Sequence, residues 1–166
     1  MPQRGRKPEI LLVDDRVRSV TTIVRAFERD GWLVHTERYL LEGVQALNRL
    51  NLTAAIFDLR LQPPSPDDRL GLEAEMVPLA WVDTVDEFSL GTVLGRYVVE
   101  RMHDTLPFVY ISALDRTKSD QAGSQTKIDR PVIDKVVARR EQTLGSIVLR
   151  EIRLLLSKQG AVEGDD

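Results

Sequence analysis

Glu9-Ile-Leu-Leu-Val-Asp14-Asp15 and Thr53-Ala-Ala-Ile-Phe-Asp58 are the stretches that decide the fold. Each is an apolar run of strand length ending in acid, and unbroken apolar runs of that length suit strands buried on both faces of a parallel sheet. Two further runs follow the same plan. Pro107-Phe-Val-Tyr-Ile-Ser112 closes on a hydroxyl, and Pro131-Val-Ile-Asp-Lys135 on an ammonium. The carboxyl ends of parallel strands share one edge, so Asp14, Asp15, Asp58, Ser112 and Lys135 are expected to converge in the crevice where open α/β sheets hold ligands. Acids, a hydroxyl and a lysine at one edge suit a divalent cation and a phosphoryl group.

Working outward, segments of helical period alternate with these runs, the pattern of βαβ units. Val17, Val20, Val24 and Phe27 predict a helix over 16–29 that stops at Asp30-Gly31. Trp32 to Thr36 reads as a second strand, with Trp32, Val34 and Thr36 on one face. Leu40, Val44 and Leu47 form the inner face of a helix over 41–50. Gln62-Pro-Pro-Ser-Pro-Asp-Asp68 cannot continue a strand, because its prolines remove donors and fix φ. From there to Phe88 no clean period appears, which predicts an inserted loop that packs locally, with at most one short helical turn. A helix is predicted over 89–102. The polar stretch 115–130 has almost nothing to bury and predicts only a weak helix. The last helix carries Leu144, Ile147, Val148, Ile152 and Leu155 as its apolar stripe, with Arg139, Arg140, Arg150 and Arg153 largely outside it.

Composition bounds the setting. The 166 residues suit one well-buried core. With no cysteine, disulfides and thiolate metal sites are excluded. The opening Met-Pro-Gln-Arg-Gly-Arg-Lys-Pro lacks the apolar core of a signal peptide and no apolar run is long enough to span a bilayer, so a cytoplasmic location is the expectation. Twenty-three basic residues stand against 26 acidic ones, a net charge of -3 that gives no general pull toward nucleic acid. The expected organisation is a flexible basic tail over 1–8, a single domain over 9–157 with an insertion at 62–88, and a flexible acidic tail over 158–166.

On the strength of Ile-Leu-Leu-Val-Asp14-Asp15, Ala-Ala-Ile-Phe-Asp58-Leu, Val-Tyr-Ile-Ser112-Ala and the isolated Lys135, the chain resembles a response regulator receiver (CheY-like) domain of two-component signalling over about residues 9–157. The resemblance implies a flavodoxin-like, doubly wound, five-stranded parallel sheet of order 2-1-3-4-5 with helices on both faces. It implies that Asp58 accepts a phosphoryl group from a histidine kinase or phosphotransfer protein. By the same match Asp15 and Asp58 bind Mg²⁺ directly, Asp14 acts through water, the Arg60 backbone carbonyl supplies another oxygen, and Ser112 and Lys135 contact the phosphoryl group. Arg60 and Leu114 match positions flanking the path of the hydrolytic water, where their bulk and charge imply slow loss of phosphate.

The chain also departs from that pattern. Ser112 lies 54 positions beyond Asp58, against about thirty in the family, which implies an insertion of roughly two dozen residues beside the site. The family's proline after the lysine is Val136 here, and its aromatic switch residue is Val132. The usual coupling of hydroxyl to aromatic rotation is therefore missing.

Three other readings are weighed. In a pseudo-receiver the fold binds protein partners through the insertion without phosphorylation. A phosphatase of the haloacid dehalogenase type would need a second acid where Arg60 stands, which removes its general acid. Arg4-Gly-Arg6-Lys7-Pro8 resembles a minor-groove hook, but short basic tails are usually just solvated, and no DNA-binding helices follow the last helix. His35 and His103 lie outside the strand-end cluster. The expected partners are a kinase or phosphotransfer protein and a downstream protein, with a homodimer through the last helix if part of its stripe stays exposed.

Overall fold

The computed structural model describes residues 5–113, 130–135 and 143–162. Five parallel strands, β1 (Glu9–Val13), β2 (Leu33–Glu37), β3 (Ala54–Asp58), β4 (Phe108–Ser112) and β5 (Val132–Asp134), form one sheet of order β2-β1-β3-β4-β5. Every residue of β1, β3 and β4 is buried, as expected of inner strands covered on both sides. β2 is an edge strand, and its Leu33 and Thr36 are exposed.

The covering helices divide by face. On one side, α1 (Thr21–Arg29), preceded by a 3₁₀ turn at Val17–Val20, and the last helix, α6 (Leu144–Val162), bury Val20, Ile23, Phe27, Leu144, Val148 and Ile152 against Ile10, Leu12, Ile56, Val109 and Ile111. The other side holds α2 (Leu40–Arg49), α3 (Pro66–Ala74), α4 (Leu79–Asp83) and α5 (Thr92–Arg101) over Leu11, Val13, Phe57, Phe108 and Tyr110. α1 ends as its Asp-Gly signal predicts. Gly31 takes φ +91°, and the Gly31 and Trp32 N–H groups donate to the Glu28 and Phe27 carbonyls, a Schellman termination that favours glycine.

The insertion differs from expectation: it forms two helices in place of a loop with one helical turn. The same prolines that end the strand start α3. Ser65 is its N-cap, with Oγ accepting from the Asp68 N–H at 3.1 Å, Pro66 stands in the first turn, and Asp67 and Asp68 face the positive end of the helix dipole. Arg69 donates to both oxygens of Asp83 at 2.8 and 3.0 Å and ties α3 to α4. Leu72, Val77, Trp81 and Val82 join the core beside α2 and α5. The unit buries its own wedge of apolar surface, and a search for one continuous period misses it because each helix is short.

Other boundaries also shift. α5 starts at Thr92, not at 89, and Gly91 before it packs against the end of β3. The predicted first helix begins with the 3₁₀ turn. α6 continues to Val162, past the expected domain limit at 157. The polar stretch 115–129, Leu114, Val136, Arg139 and Arg140 lie outside the described residues.

Candidate phosphoacceptor site

Sheet register places the site. Val13 pairs with Phe57, so Asp14, the next residue on β1, comes level with Asp58 on β3. Asp58 pairs with Ile111, and Ser112 with Asp134, which brings Lys135 to the same edge. Asp14, Asp58, Ser112 and Lys135 are all buried there, whereas Asp15 is partly open to solvent.

Lys135 is the hub of the cluster. Its Nζ donates to Asp14 Oδ2 at 2.6 Å and to Asp58 Oδ2 at 3.2 Å, and its backbone N–H donates to the Ser112 carbonyl at 2.8 Å. The second oxygen of each acid receives a backbone donor: Arg16 N–H reaches Asp14 Oδ1 at 2.7 Å and Arg60 N–H reaches Asp58 Oδ1 at 3.3 Å. Arg16, the residue before the 3₁₀ turn, is thus tied back to Asp14.

Burial pushes the Asp58 carboxyl up to about 7, with the Asp14 charge raising it further and Lys135 opposing both. Among the described residues, the Lys135 ammonium bonds to two of the three carboxylates, Asp14 and Asp58, in a poorly solvated place. Asp14, Asp15 and Asp58 each bring an oxygen to within 4.8 Å of the others. Three hard oxygen donors at a solvent-reaching edge fit Mg²⁺, which takes one or two carboxylates and keeps several waters.

The loop after Asp58 is supported from the insertion side. Leu59 N–H donates to the Ile111 carbonyl at 3.0 Å, and its own carbonyl accepts from Gly91 N–H at 2.8 Å. Gly91 sits so close that a Cβ there would lie 1.9 Å from the Asp58 carbonyl oxygen, so only glycine fits. Sequence reasoning did not find Gly91, because nothing local to Leu90-Gly91-Thr92 marks a contact with β3. The Arg60 guanidinium carbon lies 5.3 Å from the centre of the Phe88 ring.

Solved structures share this arrangement of strands and helices. A response regulator receiver domain protein (CheY-like) from Methanospirillum hungatei JF-1 is 16% identical with a TM-score of 0.54, over 94% of this chain and 98% of that one. A response regulator receiver protein from Sinorhizobium medicae WSM419 is 17% identical with a TM-score of 0.57, over 91% and 95%. This is the receiver-domain fold. A response regulator from Thermotoga maritima, solved in complex with Mg(2+)-BeF, aligns over 87% of this chain and 98% of that one at 15% identity and a TM-score of 0.52. No protein-family model matches the sequence, and no curated protein matches it.

Within the receiver fold, the expected strand-end residues Asp14, Asp15, Asp58, Ser112 and Lys135 all come to one edge. Leu114 lies outside the described residues. His35 stands apart, paired through Nε2 with Glu9 Oε2 at 2.9 Å, and His103 is exposed. Among the described residues no helix is long and apolar enough to cross a membrane.

Proposed function

We propose that the protein is a receiver that accepts a phosphoryl group on Asp58 from the phosphohistidine of a histidine kinase or phosphotransfer protein, and signals by contact with a downstream protein. The observation that carries this reading is the buried Lys135 ammonium within hydrogen-bond reach of both Asp14 and Asp58, beside an oxygen cluster able to hold a cation. In the transfer, an Asp58 oxygen forms a bond to phosphorus as the phosphorus–nitrogen bond of the donor breaks and the imidazole leaves. Asp58 is the nucleophile. Lys135 offsets charge on the phosphoryl oxygens, and Ser112, at the end of the neighbouring strand, would donate to one of them. Mg²⁺ held by Asp14, Asp15 and Asp58, with the Arg60 carbonyl as a further ligand, would supply the remaining positive charge.

Beryllofluoride, a phosphoryl mimic, offers a non-covalent test. A rise in Tm that needs both Mg²⁺ and beryllofluoride, and disappears in Asp58→Asn, is the expected result. Equal Tm with and without the pair would refute the acceptor role. The folded insertion, with Leu70 and Met76 exposed on it, favours a second reading as a phosphorylation-independent binding module. Mg²⁺ binding without any response to beryllofluoride would select it.

A further inference from the structure

Two exposed leucines stand on opposite sides of the sheet, each between charges of one sign. On α3, Leu70 is 66% exposed, with Asp67 three residues before it and Glu73 three after. On α6, Leu154 is 48% exposed, with Arg150 four residues before it and Lys158 four after. Residues three and four apart are neighbours on a helix surface, so each leucine is the apolar centre of a stripe, acidic on α3 and basic on α6. All four flanking side chains are exposed, and none makes a salt bridge to a described residue. The wider surface follows the same division. The 62–88 insertion holds seven acidic residues against Arg69 alone, although the whole chain carries only -3. Beside α6, α1 presents Arg25 and Arg29 to solvent.

We propose that α3 of one copy of the chain docks on α6 of a second copy, Leu70 against Leu154, with Asp67 and Glu73 set among Arg150 and Lys158. The stripes match in sign and in spacing, since every flanking charge lies about one turn from its leucine. Burying the two leucines drives the contact, and the charges around them select the partner. Pairing α3 with α3 would set carboxylates against carboxylates, and pairing α6 with α6 would set cations against cations. The contact is therefore heterologous: it joins two different faces, so each copy keeps one stripe free and further copies can add. No residue of the Asp58 site takes part, so the docking stands or falls apart from the acceptor role.

The test is sedimentation velocity of the full chain, from about 10 µM to about 1 mM, for the wild type, Leu70→Lys, Leu154→Glu and Leu33→Lys, each checked for fold by circular dichroism. The wild type should associate as concentration rises, and about ten-fold more weakly in about 0.5 M salt than in about 0.05 M, where screening is far less. Leu70→Lys and Leu154→Glu each put a like charge inside the facing stripe and should weaken association at least about ten-fold. Leu33→Lys, at an exposed leucine of the edge strand β2, should associate as the wild type does. An equal mixture of Leu70→Lys and Leu154→Glu should associate again, through the intact α6 of the first and the intact α3 of the second. Undiminished association of either folded variant, or a mixture no more associated than its parts, would overturn the proposal. A wild type that stays monomeric at every concentration in low salt would overturn it too, and leave the α3 stripe to a basic segment of a different protein.

Discussion

Replacing Asp58 with asparagine should stabilise the metal-free protein, and by an amount that grows with pH. The amide would keep the shape of the side chain and remove a charge that burial and the neighbouring Asp14 and Asp15 carboxylates make costly, with the Lys135 ammonium divided between Asp58 and Asp14. The Asp58 carboxyl has a pKa of about 7 in the fold against an ordinary 3.8. A carboxyl raised in this way binds its proton more tightly when folded, so its contribution to stability is fully present below 3.8 and is lost as pH rises through 7. Carried through the linkage relation, that raise removes about 2 to 3 kcal/mol of stability between about pH 5 and pH 8. The assay is urea unfolding of both proteins in chelator at the two pH values. The advantage of Asp58→Asn should be larger at the higher pH, and Mg²⁺ should narrow it by binding the wild-type acids. Equal advantages at the two pH values, or an Asp58→Asn protein less stable than wild type at the higher one, would refute the reasoning.

Three further outcomes follow from the packing. Gly91→Ala forces a methyl into the Asp58 carbonyl and should cost about 1–3 kcal/mol in urea unfolding while weakening Mg²⁺ binding measured by titration calorimetry. Leu72→Ala, on α3 with its side chain wholly buried, should lose about 2–5 kcal/mol, which a loosely attached insertion would not. The Glu9 carboxyl is held below its usual range by hydrogen bonds from His35 and Arg6. Its stabilisation is present above the ordinary 4.5 and disappears as pH falls through the lowered value, so wild type and Glu9→Gln should converge in stability on acidification and diverge near neutrality.

Strand ends were legible because inner parallel strands carry an unbroken apolar signal and because each ended on a chemically distinctive residue, whereas the sheet order came only through the resemblance those strand ends carry. Leu40, Val44 and Leu47 on α2, and Leu144, Val148 and Ile152 on α6, point inward as their spacing demands. The insertion was illegible as structure because α3 and α4 are too short for periodicity to stand out, although Ser65-Pro66-Asp67-Asp68 did carry a helix-start signal in its cap and charges. The supports of the site, Gly91 under Asp58 and Phe88 beside Arg60, depend on contacts far apart in sequence. No local pattern marks such contacts; only the packed chain displays them.

The central claim, that Asp58 is a phosphoacceptor, is tested most directly by intact mass after incubation with a small phosphodonor, for wild type and Asp58→Asn, with Mg²⁺ and with chelator. The account predicts the gain of one phosphoryl group by the wild type in Mg²⁺ alone. No gain by a wild-type protein whose fold is intact by circular dichroism, or an equal gain by Asp58→Asn, would contradict it.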